Sequence, residues 1–361
     1  MKVVSVVGAR PQFVKAFPVS RVLRERHEEV LVHTGQHYSE SMSDVFFQEL
    51  DIPTPEYNLG VGSGTQGEQT GRIVTRFGEL VEREDPDTVV VYGDTNSTLA
   101  SAVVTAKTDA RLAHVEAGLR SYNREMPEEV NRELTDHVSD LLFAPTRRGV
   151  ENLRKEGVGN VHLTGDVMYD AIRWARSRAA EHSAVLAAND LADDEYVLAT
   201  VHRAGNTDDP DRLRAIMGAL CELDREVVFP IHPRTMECLD EYGLRERVES
   251  SITLIDPVGY LDFVRLLDGA ERVATDSGGV QKEAFFLDTH CVTLREETEW
   301  VETIDAGWNV LVGADREAII RELTAPVSLP EKPELYGDGD AAERMVELIE
   351  RDAGSTDGAD G

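Results

Sequence analysis

The chain has 361 residues, of which 41% are hydrophobic and 29% charged. This length favours two domains over a single core, and this composition is typical of globular proteins and excludes a largely disordered chain. Acidic residues outnumber basic ones by 68 to 37, giving a net charge of −31. Such a charge argues against nucleic acid or an anionic membrane as a partner.

Several features predict a cytoplasmic protein. No run approaches the ~18 apolar residues of a membrane span. Met1 leads directly into an apolar run, so no signal peptide is predicted. The three cysteines, Cys221, Cys238 and Cys291, are odd in number and widely spaced, as expected of reduced, buried thiols. We interpret the acidic bias as an adaptation to a salt-rich cytoplasm, because salt screens the repulsion between surface charges.

Short apolar runs alternate with segments of helical period along the chain. In the first half, strands are predicted at Val3–Val7, Val30–His33, Thr88–Tyr92, Leu112–Val115, Leu141–Ala144 and Val161–Leu163, and helices at Phe13–Arg26, Thr70–Glu84, Asn96–Lys107 and Glu128–Val138. In the second half, strands are predicted at Tyr196–Thr200, Val227–Ile231, Ile252–Ile255, Arg272–Ala274, Cys291–Leu294 and Val310–Val312. This alternation indicates parallel sheets with helices on both faces.

The predicted elements indicate an α/β protein of two Rossmann-like, doubly wound domains that face a central cleft. We expect an N-terminal domain over residues 1–170, a C-terminal domain over 192–340 and a disordered acidic tail over 353–361. Ligands bind at the carboxyl ends of the strands in such sheets. The motifs that directly follow strands are therefore the candidates for function.

In the first half, two such turns carry basic or acidic side chains. Arg10 follows the first strand, and Lys15 lies one turn into the next helix, where both are placed to grip phosphates. The alternative for Lys15 is a solvated cation at a helix start. Asp94 follows Gly93 at the end of the third strand, and it fits a helix N-cap as well as a catalytic carboxylate.

Two further carboxylates follow in the same half. Glu116 comes directly after the fourth strand, and Pro127 starts a helix whose opening turn holds Glu128. Asp94, Glu116 and Glu128 can therefore converge from separate loops. Neighbouring carboxylates raise the pKa of one member, which supplies the acid and the base for proton transfer near neutrality. The alternative is that Glu128 and Glu129 only complement the helix dipole.

The most informative stretch of the second half is Val273–Glu283. It predicts a buried strand, a turn containing Gly278 and Gly279, and a helix. Residues without side chains at a helix start let backbone N–H groups approach an anion, which the helix dipole also favours. A phosphate at this turn and a sugar hydroxyl on Glu283 would form a pocket for a nucleoside diphosphate. An ordinary strand-to-helix turn is the alternative.

Two other patterns point away from cofactors. His202 and His232 both follow strands, but no acidic residue or cysteine is spaced around them as a metal site requires. The segment Gly62–Gly67 fits G-x-G-x-x-G, yet it does not follow a buried strand, so the context of a dinucleotide site is missing. We interpret that segment as a mobile loop.

Together these residues resemble the non-hydrolysing UDP-N-acetylglucosamine 2-epimerase family. The matching motifs span nearly the whole chain and are Gly8-Ala9-Arg10-Pro11 with Lys15, Thr34-Gly35-Gln36-His37, Gly93-Asp94-Thr95, His114–Arg120, Pro127-Glu128-Glu129 with Asn131-Arg132, Thr164-Gly165-Asp166, His202-Arg203, His232-Pro233 and Thr275–Glu283. The resemblance implies a glycosyltransferase-B-like fold, a homodimer, neither a nicotinamide cofactor nor a metal, and a last helix near 341–351 that packs back on the first domain.

The resemblance also implies the reaction, inversion of carbon 2 in a UDP-2-acetamido sugar such as UDP-N-acetylglucosamine. In such enzymes UDP is eliminated to leave a 2-acetamidoglucal, and it adds back after a proton reaches the opposite face. By motif position, the catalytic group is Asp94, Glu116, Glu128 and His202. The residues implied to bind UDP are Arg10, Lys15, His202, Phe263 at the uracil, Ser277, Gly278, Gly279, and Glu283 at the ribose.

Departures from the commonest family pattern leave the sugar open. After His202-Arg203 the chain reads Ala204-Gly205-Asn206, where a glutamate often precedes the asparagine. It also has Thr298-Glu299-Trp300-Val301-Glu302 where many members have Thr-Glu-Arg-Pro-Glu, so Trp300 is expected to stack or pack where an arginine is lost. The same variant resembles branches that act on UDP-2,3-diacetamido-2,3-dideoxyglucuronate. That substrate, and a glycosyltransferase of the same fold, are the alternatives.

Overall fold

The structure is a computed structural model that describes residues 1–36 and 54–356. The chain forms two compact units, Met1–Ala171 with Glu334–Gly361, and Ile172–Pro333. Each unit is built around one parallel sheet, which confirms the predicted α/β class of two doubly wound domains. The predicted cleft between the domains stays a prediction.

The first unit contains a seven-stranded parallel sheet. Its strands are β1 (Lys2–Val7), β2 (Glu28–His33), β3 (Tyr57–Asn58), β4 (Thr88–Tyr92), β5 (Arg111–Val115), β6 (Leu141–Ala144) and β7 (Val161–Leu163), and their order is β3-β2-β1-β4-β5-β6-β7. The order reverses between β1 and β4, and in such sheets the crevice at a reversal is where ligands bind. Asp94 lies on the turn after β4, and Lys15 lies in the first turns of the helix that follows β1.

Helices flank this sheet because their apolar faces pack against its apolar strands and are buried there. The helices are α1 (Arg10–Arg26), α2 (Gln66–Glu84), α3 (Asn96–Thr105), α4 (Pro127–Val138), α5 (Arg147–Lys155) and α6 (Val167–His182), whose sequence contains the boundary between the units. Strand β4 is buried along its whole length, as expected for a parallel strand covered on both faces. Helix α2 packs Ile73 and Phe77 against Val89 and Val91 of that strand's core.

The second unit contains a six-stranded parallel sheet. Its strands are β8 (Tyr196–Thr200), β9 (Glu226–Pro230), β10 (Thr253–Ile255), β11 (Arg272–Thr275), β12 (His290–Thr293) and β13 (Asn309–Leu311), in the order β10-β9-β8-β11-β12-β13. Its helices are α7 (Val185–Ala188), α8 (Ala204–Thr207), α9 (Pro210–Leu220), α10 (Pro233–Glu241), α11 (Arg245–Glu249), α12 (Tyr260–Asp268), α13 (Gly278–Phe286), α14 (Val301–Asp305) and α15 (Arg316–Thr324). The order reverses between β8 and β11, the strands that precede His202 and Ser277.

The last helix, α16 (Ala341–Thr356), belongs to the first unit. It is anchored to α1 by an ion pair of Glu343 with Arg26, and to the residue after α1 by a contact of Glu350 Oε1 with His27 Nε2 at 2.9 Å. Asp352 forms a further ion pair with Arg111 at the start of β5. The helix continues to Thr356, past the predicted start of the disordered tail at residue 353, and residues 357–361 lie outside the described chain.

Strand β3 is absent from the sequence-based prediction because it has two residues and pairs only at the sheet edge, Val32 with Tyr57 and His33 with Asn58. Within the residues that the structure describes, no helix combines the length and apolar character needed to cross a bilayer.

Candidate active site

Asp94 lies at the end of β4, on the turn into α3. Gly93 before it has a φ of +64°, which glycine adopts without strain. The N-cap of α3 is Thr95, whose hydroxyl accepts a hydrogen bond from the backbone N–H of Thr98. The structure therefore assigns the capping role to Thr95, and the partly exposed Asp94 carboxylate instead forms an ion pair with Arg132 of α4.

Glu116 lies at the end of the neighbouring strand β5, in a left-handed backbone conformation with a φ of +73°. Non-glycine residues rarely adopt this conformation, and where they do the surrounding structure must hold them. The backbone N–H groups of Glu116 and Ala117 both donate to the Phe143 carbonyl, at 3.1 and 3.0 Å. The turn directs the Glu116 carboxylate to Lys15, with which it forms an ion pair.

Lys15 is surrounded by carboxylates. Burial alone would lower its pKa, but the charges of Glu116, Asp94 and Asp166 together hold it above the ordinary lysine value. The ammonium therefore stays charged beside two of the predicted catalytic residues. The side chain of Arg10, the other predicted phosphate contact on α1, lies outside the described part of the structure.

A cavity of about 280 Å³ opens in the first unit beside this cluster. Its walls combine carboxylates, side-chain amides and small residues, namely Gln36, Ser63, Gly64, Gln66, Gln69, Asp94, Thr95, Asn96, Pro127, Glu128 and Asn131. Asp94 and Glu128 thus share one cavity, and Glu116 is joined to Asp94 through their common neighbour Lys15. The structure brings the three predicted carboxylates into one region at the carboxyl edge of the sheet.

Side-chain amides fix the walls of this cavity. The Asn96 amide donates to Gln66 Oε1 at 2.5 Å and to Gln69 Oε1 at 2.8 Å. The Gln69 amide in turn donates to the Gly62 carbonyl at 2.9 Å. The segment Gly62–Gly67 is thereby held as the entry to α2 and as one wall of the cavity. His37, the last residue of the Thr34–His37 motif, lies outside the described residues.

Glu128 and its neighbour Glu129 have different surroundings. Glu129 is fully buried, where its carboxylate accepts hydrogen bonds from the backbone N–H groups of Ser121 and Tyr122 and pairs with Arg132. Glu128 is exposed on the first turn of α4 and lines the cavity. Glu129 therefore orders the loop before α4, which leaves Glu128 as the carboxylate available to a ligand.

In the second unit, His202 follows β8, and a buried carboxylate holds its backbone. Asp276, fully buried after β11, accepts hydrogen bonds from the backbone N–H groups of His202 and Arg203 and from the Asn206 amide, at 3.0 to 3.2 Å. The half-exposed His202 imidazole lies 4.0 Å from the same carboxylate. His232, in contrast, caps α10, because its Nδ1 accepts from the Arg234 N–H.

The start of α13 has the features of an anion site. Ser277 is the N-cap residue, and Gly278 and Gly279 are the first two residues of the helix, not part of a separate turn as predicted from the sequence. Neither glycine has a positive φ, and a methyl group on either would meet only ordinary contacts, 3.7 Å or longer. The protein itself therefore does not require glycine at either position, and the free space there can accept a ligand.

Comparison with known proteins decides the family. A sequence model described as UDP-N-acetylglucosamine 2-epimerase matches residues 21–350. A UDP-N-acetylglucosamine 2-epimerase homolog of Methanococcus maripaludis is 47% identical over 354 residues, covering 97% of this chain and 99% of the relative. The chain belongs to the UDP-N-acetylglucosamine 2-epimerase family. This confirms the resemblance that the sequence motifs predicted.

Two further members of the family bear on the substrate and the fold. The UDP-2,3-diacetamido-2,3-dideoxy-D-glucuronate 2-epimerase of Pseudomonas aeruginosa is 45% identical over 360 residues, 97% of this chain and 99% of that protein. The crystal structure of Methanocaldococcus jannaschii UDP-GlcNAc 2-epimerase in complex with UDP-GlcNAc and UDP superimposes with a TM-score of 0.81 at 41% identity, covering 97% of this chain and all of the other. The fold is accordingly glycosyltransferase-B-like, and family membership makes the chain a 2-epimerase of UDP-2-acetamido sugars.

The Trp300 departure from the commonest family pattern has a structural explanation. The Trp300 indole N–H donates to the Gly278 carbonyl at 2.9 Å, and the Lys282 ammonium lies 4.2 Å from the centre of the indole ring. Trp300 therefore packs against the first turns of α13, and Lys282 brings a cation to the same place. Arg295, also close to Gly278, is nearly buried and forms an ion pair with Glu299, 3.1 Å away.

The two remaining predicted UDP contacts lie on helices at the same edge of the second sheet. Glu283 is almost fully buried one turn beyond the glycines on α13. Phe263 is partly buried in the first turn of α12, which follows the edge strand β10. Their positions do not test the uracil and ribose contacts, which stay predictions.

Several residues of the site were not predicted from the sequence. Asp276 lies inside the quoted Val273–Glu283 stretch, but no local pattern shows that it holds the His202 loop. Asp136 contacts His114, which lies two residues before Glu116, and Arg120 donates to the same Asp136 carboxylate. Among the described residues, no group of three or more histidine, cysteine or acidic side chains could hold a metal ion. The absence of a cofactor stays a prediction.

Proposed function

We propose that this family member interconverts UDP-N-acetylglucosamine and UDP-N-acetylmannosamine by elimination and re-addition of UDP. The observation that carries the proposal is the joining of Glu116, Lys15 and Asp94 beside a cavity that Glu128 also lines. Inversion at carbon 2 needs a base on one face of the sugar and an acid on the other. Carboxylates on separate elements around one cavity can supply both.

The reaction runs in two halves that balance without a cofactor. A carboxylate removes the proton from carbon 2 while the bond from carbon 1 to the UDP oxygen breaks, which leaves a 2-acetamidoglucal and UDP. A second acidic group then protonates carbon 2 from the opposite face, and the UDP oxygen re-forms its bond to carbon 1. The proposal assigns these steps to Asp94, Glu116 and Glu128 as a group and does not divide the acid and base roles among them.

Charge on the departing diphosphate must be stabilised as the carbon–oxygen bond breaks. We propose that the backbone N–H groups at the start of α13, from Ser277 to Gly279, take this role together with His202. The helix dipole and the open space at the two glycines support this assignment. Asp276 supports it indirectly, since it fixes the loop that carries His202.

The proposal favours a neutral sugar over a uronate. The described residues that line the cavity include carboxylates and amides and no lysine, arginine or histidine. A carboxylate on the sugar would meet the exposed Glu128 there, and like charges repel, whereas Asp94 is already paired with Arg132. UDP-2,3-diacetamido-2,3-dideoxyglucuronate remains the second candidate because the Pseudomonas relative that acts on it is 45% identical.

The homodimer also remains a proposal, and an exposed apolar stripe on α4 supports it. Leu134 and Val138 are 46% and 38% exposed and lie one helical turn apart on α4. Such a stripe on a chain with a net charge of −31 is typical of a protein contact. If α4 is the contact, Leu134→Glu yields a monomer by light scattering, and Leu163→Glu, exposed on β7, leaves the dimer intact. A wild-type monomer would contradict the proposal.

The function is tested by following pure protein with UDP-N-acetylglucosamine in D₂O by proton NMR, without any acceptor. We expect UDP-N-acetylmannosamine to appear with loss of the carbon-2 proton signal. Turnover of only UDP-2,3-diacetamido-2,3-dideoxyglucuronate would show that this uronate, and not UDP-N-acetylglucosamine, is the substrate. Release of UDP and free sugar would indicate a hydrolysing enzyme. No turnover without an acceptor would favour a glycosyltransferase.

Glu116→Gln tests the proton-transfer role. The variant should incorporate no solvent deuterium at carbon 2 while it still binds UDP, because the amide keeps the shape of the carboxylate but cannot accept the proton. Glu133→Gln on α4 is the matched control, since Glu133 pairs only peripherally with the exposed Arg124. Undiminished exchange in Glu116→Gln would remove Glu116 from the proposed mechanism.

A further inference from the structure

The buried histidine His114 has an unusual pair of neighbours. It lies on β5, is fully buried, and is two residues before Glu116. Its Nδ1 lies 2.7 Å from an Asp136 carboxylate oxygen, and its Nε2 lies 2.8 Å from the Gly93 carbonyl oxygen. Both neighbours accept hydrogen bonds, whereas a neutral imidazole carries a proton on only one nitrogen. In a neutral ring, the nitrogen without a proton would face a buried oxygen that also only accepts hydrogen bonds.

The charges around Asp136 support the doubly protonated ring. Its second oxygen accepts from Arg120 at 2.7 Å and from the Gly118 N–H at 3.1 Å, and Arg120 also pairs with Glu156. With His114 charged, the two cations and two carboxylates of this group cancel. With His114 neutral and Asp136 ionised, the group as a whole would carry one net negative charge, although its Glu156 member is exposed to solvent.

The pKa of Asp136 indicates that this carboxylate is ionised. Burial alone would raise it, but the hydrogen bond from His114 and the charges of His114 and Arg120 lower it below the ordinary value. The alternative is a protonated Asp136 that donates a hydrogen bond to Nδ1 of a neutral His114, whose Nε2 then donates to the Gly93 carbonyl. The Arg120 guanidinium, only 2.7 Å from the carboxylate, disfavours that protonated form.

We propose that His114, held as an imidazolium, is a positioning residue that fixes the Asp94, Glu116 and Glu128 segments relative to one another. Its Nε2 donates a hydrogen bond to the carbonyl of Gly93, the residue directly before Asp94. Its partner Asp136 accepts a hydrogen bond from the N–H of Gly118. The network therefore fixes residues on both sides of the strained Glu116 turn. Asp136 is also part of α4, the helix whose first turn carries Glu128. The catalytic part of this inference rests on the proposed function.

The charge state is tested first, without any substrate. In protein with ¹⁵N-labelled histidine, the ring of His114 should carry a proton on both nitrogens at pH 7.5, and its signals should vanish in His114→Gln. A single ring proton at that pH would overturn the imidazolium assignment. This measurement decides the point even if the wild-type protein shows no turnover, so it fails or succeeds separately from the proposed function.

The positioning role is tested by kinetics. His114→Gln should lower kcat by roughly 10- to 100-fold, with KM changed by less than about threefold, because misplaced catalytic groups slow the reaction more than they weaken binding. His137→Gln, an exposed histidine on the same α4 helix, should match the wild type. A wild-type kcat in His114→Gln, or a loss confined to KM, would overturn the positioning role.

A double variant separates positioning from general destabilisation. In His114→Gln with Asp136→Asn, the asparagine oxygen can accept from Gly118 and Arg120, and the new glutamine can bridge the asparagine amide and the Gly93 carbonyl. This neutral network also restores the charge balance. We expect its kcat to exceed that of His114→Gln by about tenfold. If the double variant is no more active than His114→Gln although both fold, the network does not position the carboxylates.

Discussion

Lys15 and Glu116 form a largely buried ion pair directly over the α-carbon of Gly93. A methyl group added to Gly93 would lie 3.3 Å from Lys15 Nζ and 3.4 Å from Glu116 Oε2. Glu116 and Asp94 both help to raise the pKa of Lys15. The ammonium therefore serves as the counter-ion of two predicted catalytic carboxylates, whereas the sequence predicted that it contacts phosphate. The two roles lead to different kinetics.

Lys15→Met distinguishes them. If Lys15 is the counter-ion, kcat should fall by about 100-fold or more, as for loss of a group that acts on the reacting centre. The acidic limb of the kcat profile should also move to higher pH, because a carboxylate without its cation ionises less readily. Lys107→Met, exposed at the end of α3, should leave the profile unchanged. An unshifted profile with only weaker UDP binding would support the phosphate contact instead.

Gly279→Ala tests the anion site at the start of α13. The added methyl group meets no protein atom closer than 4.0 Å, and alanine in a helix is more favourable than glycine by about 0.5 to 1 kcal/mol. We therefore expect a raised Tm together with a Kd for UDP at least about tenfold weaker by calorimetry. Gly78→Ala on α2, also in open space, should raise the Tm and leave UDP binding unchanged. Unaltered UDP binding in Gly279→Ala would place the diphosphate elsewhere.

Much of the fold was predictable because the buried parallel strands are short, mainly apolar runs, and many of the helices between them show an apolar repeat of helical period. The strand Tyr196–Thr200 was predicted with the bounds that the structure shows. The edge strand Tyr57–Asn58 was not, because two residues at a sheet edge carry no periodic signal. The last helix extends through Thr356, and its Asp352 forms an ion pair with Arg111, a contact that spans 241 positions of the chain and has no local signal in the sequence.

The site was predictable only in part, for a related reason. Asp94 and Glu116 could be chosen because each follows a predicted strand, where ligands bind in such sheets. Their supporting partners could not, since no local pattern joins them. Asp276 lies 74 positions from the His202 backbone that it holds, and Asp136 lies 22 positions from His114. Folding brings such buried carboxylates to the loops, so only the structure reveals them.

Asp170 should make stability depend on pH. Burial raises its pKa to about 6, and one of its oxygens accepts from the Ala342 N–H at the start of α16. Since the folded pKa exceeds the unfolded value, its contribution is fully present below about pH 4 and is lost as the pH rises through 6. Asp170→Asn keeps the acceptor without the charge, so at pH 8 it should be more stable than the wild type, by at most about 3 kcal/mol.

Urea unfolding at pH 5 and pH 8 checks this expectation. The gap in unfolding free energy between Asp170→Asn and the wild type should widen from pH 5 to pH 8. Asp224→Asn, at an exposed position of the second unit, should follow the wild type at both values. A gap that is the same at both pH values would show that Asp170 does not titrate in this range.

The acidic surface should make stability depend on salt. With 68 acidic and 37 basic residues, the folded chain repels itself in dilute buffer, and at 1 M salt the screening length shrinks to about 3 Å. We expect the Tm in 2 M KCl to exceed that in 20 mM buffer by roughly 10 °C, equivalent to about 7 to 8 kcal/mol for a chain of 361 residues that unfolds as one unit. An equal rise in 2 M NaCl would identify screening, whereas a rise in KCl alone would identify bound potassium. Equal melting temperatures with and without salt would contradict the interpretation of the acidic surface as an adaptation to salt.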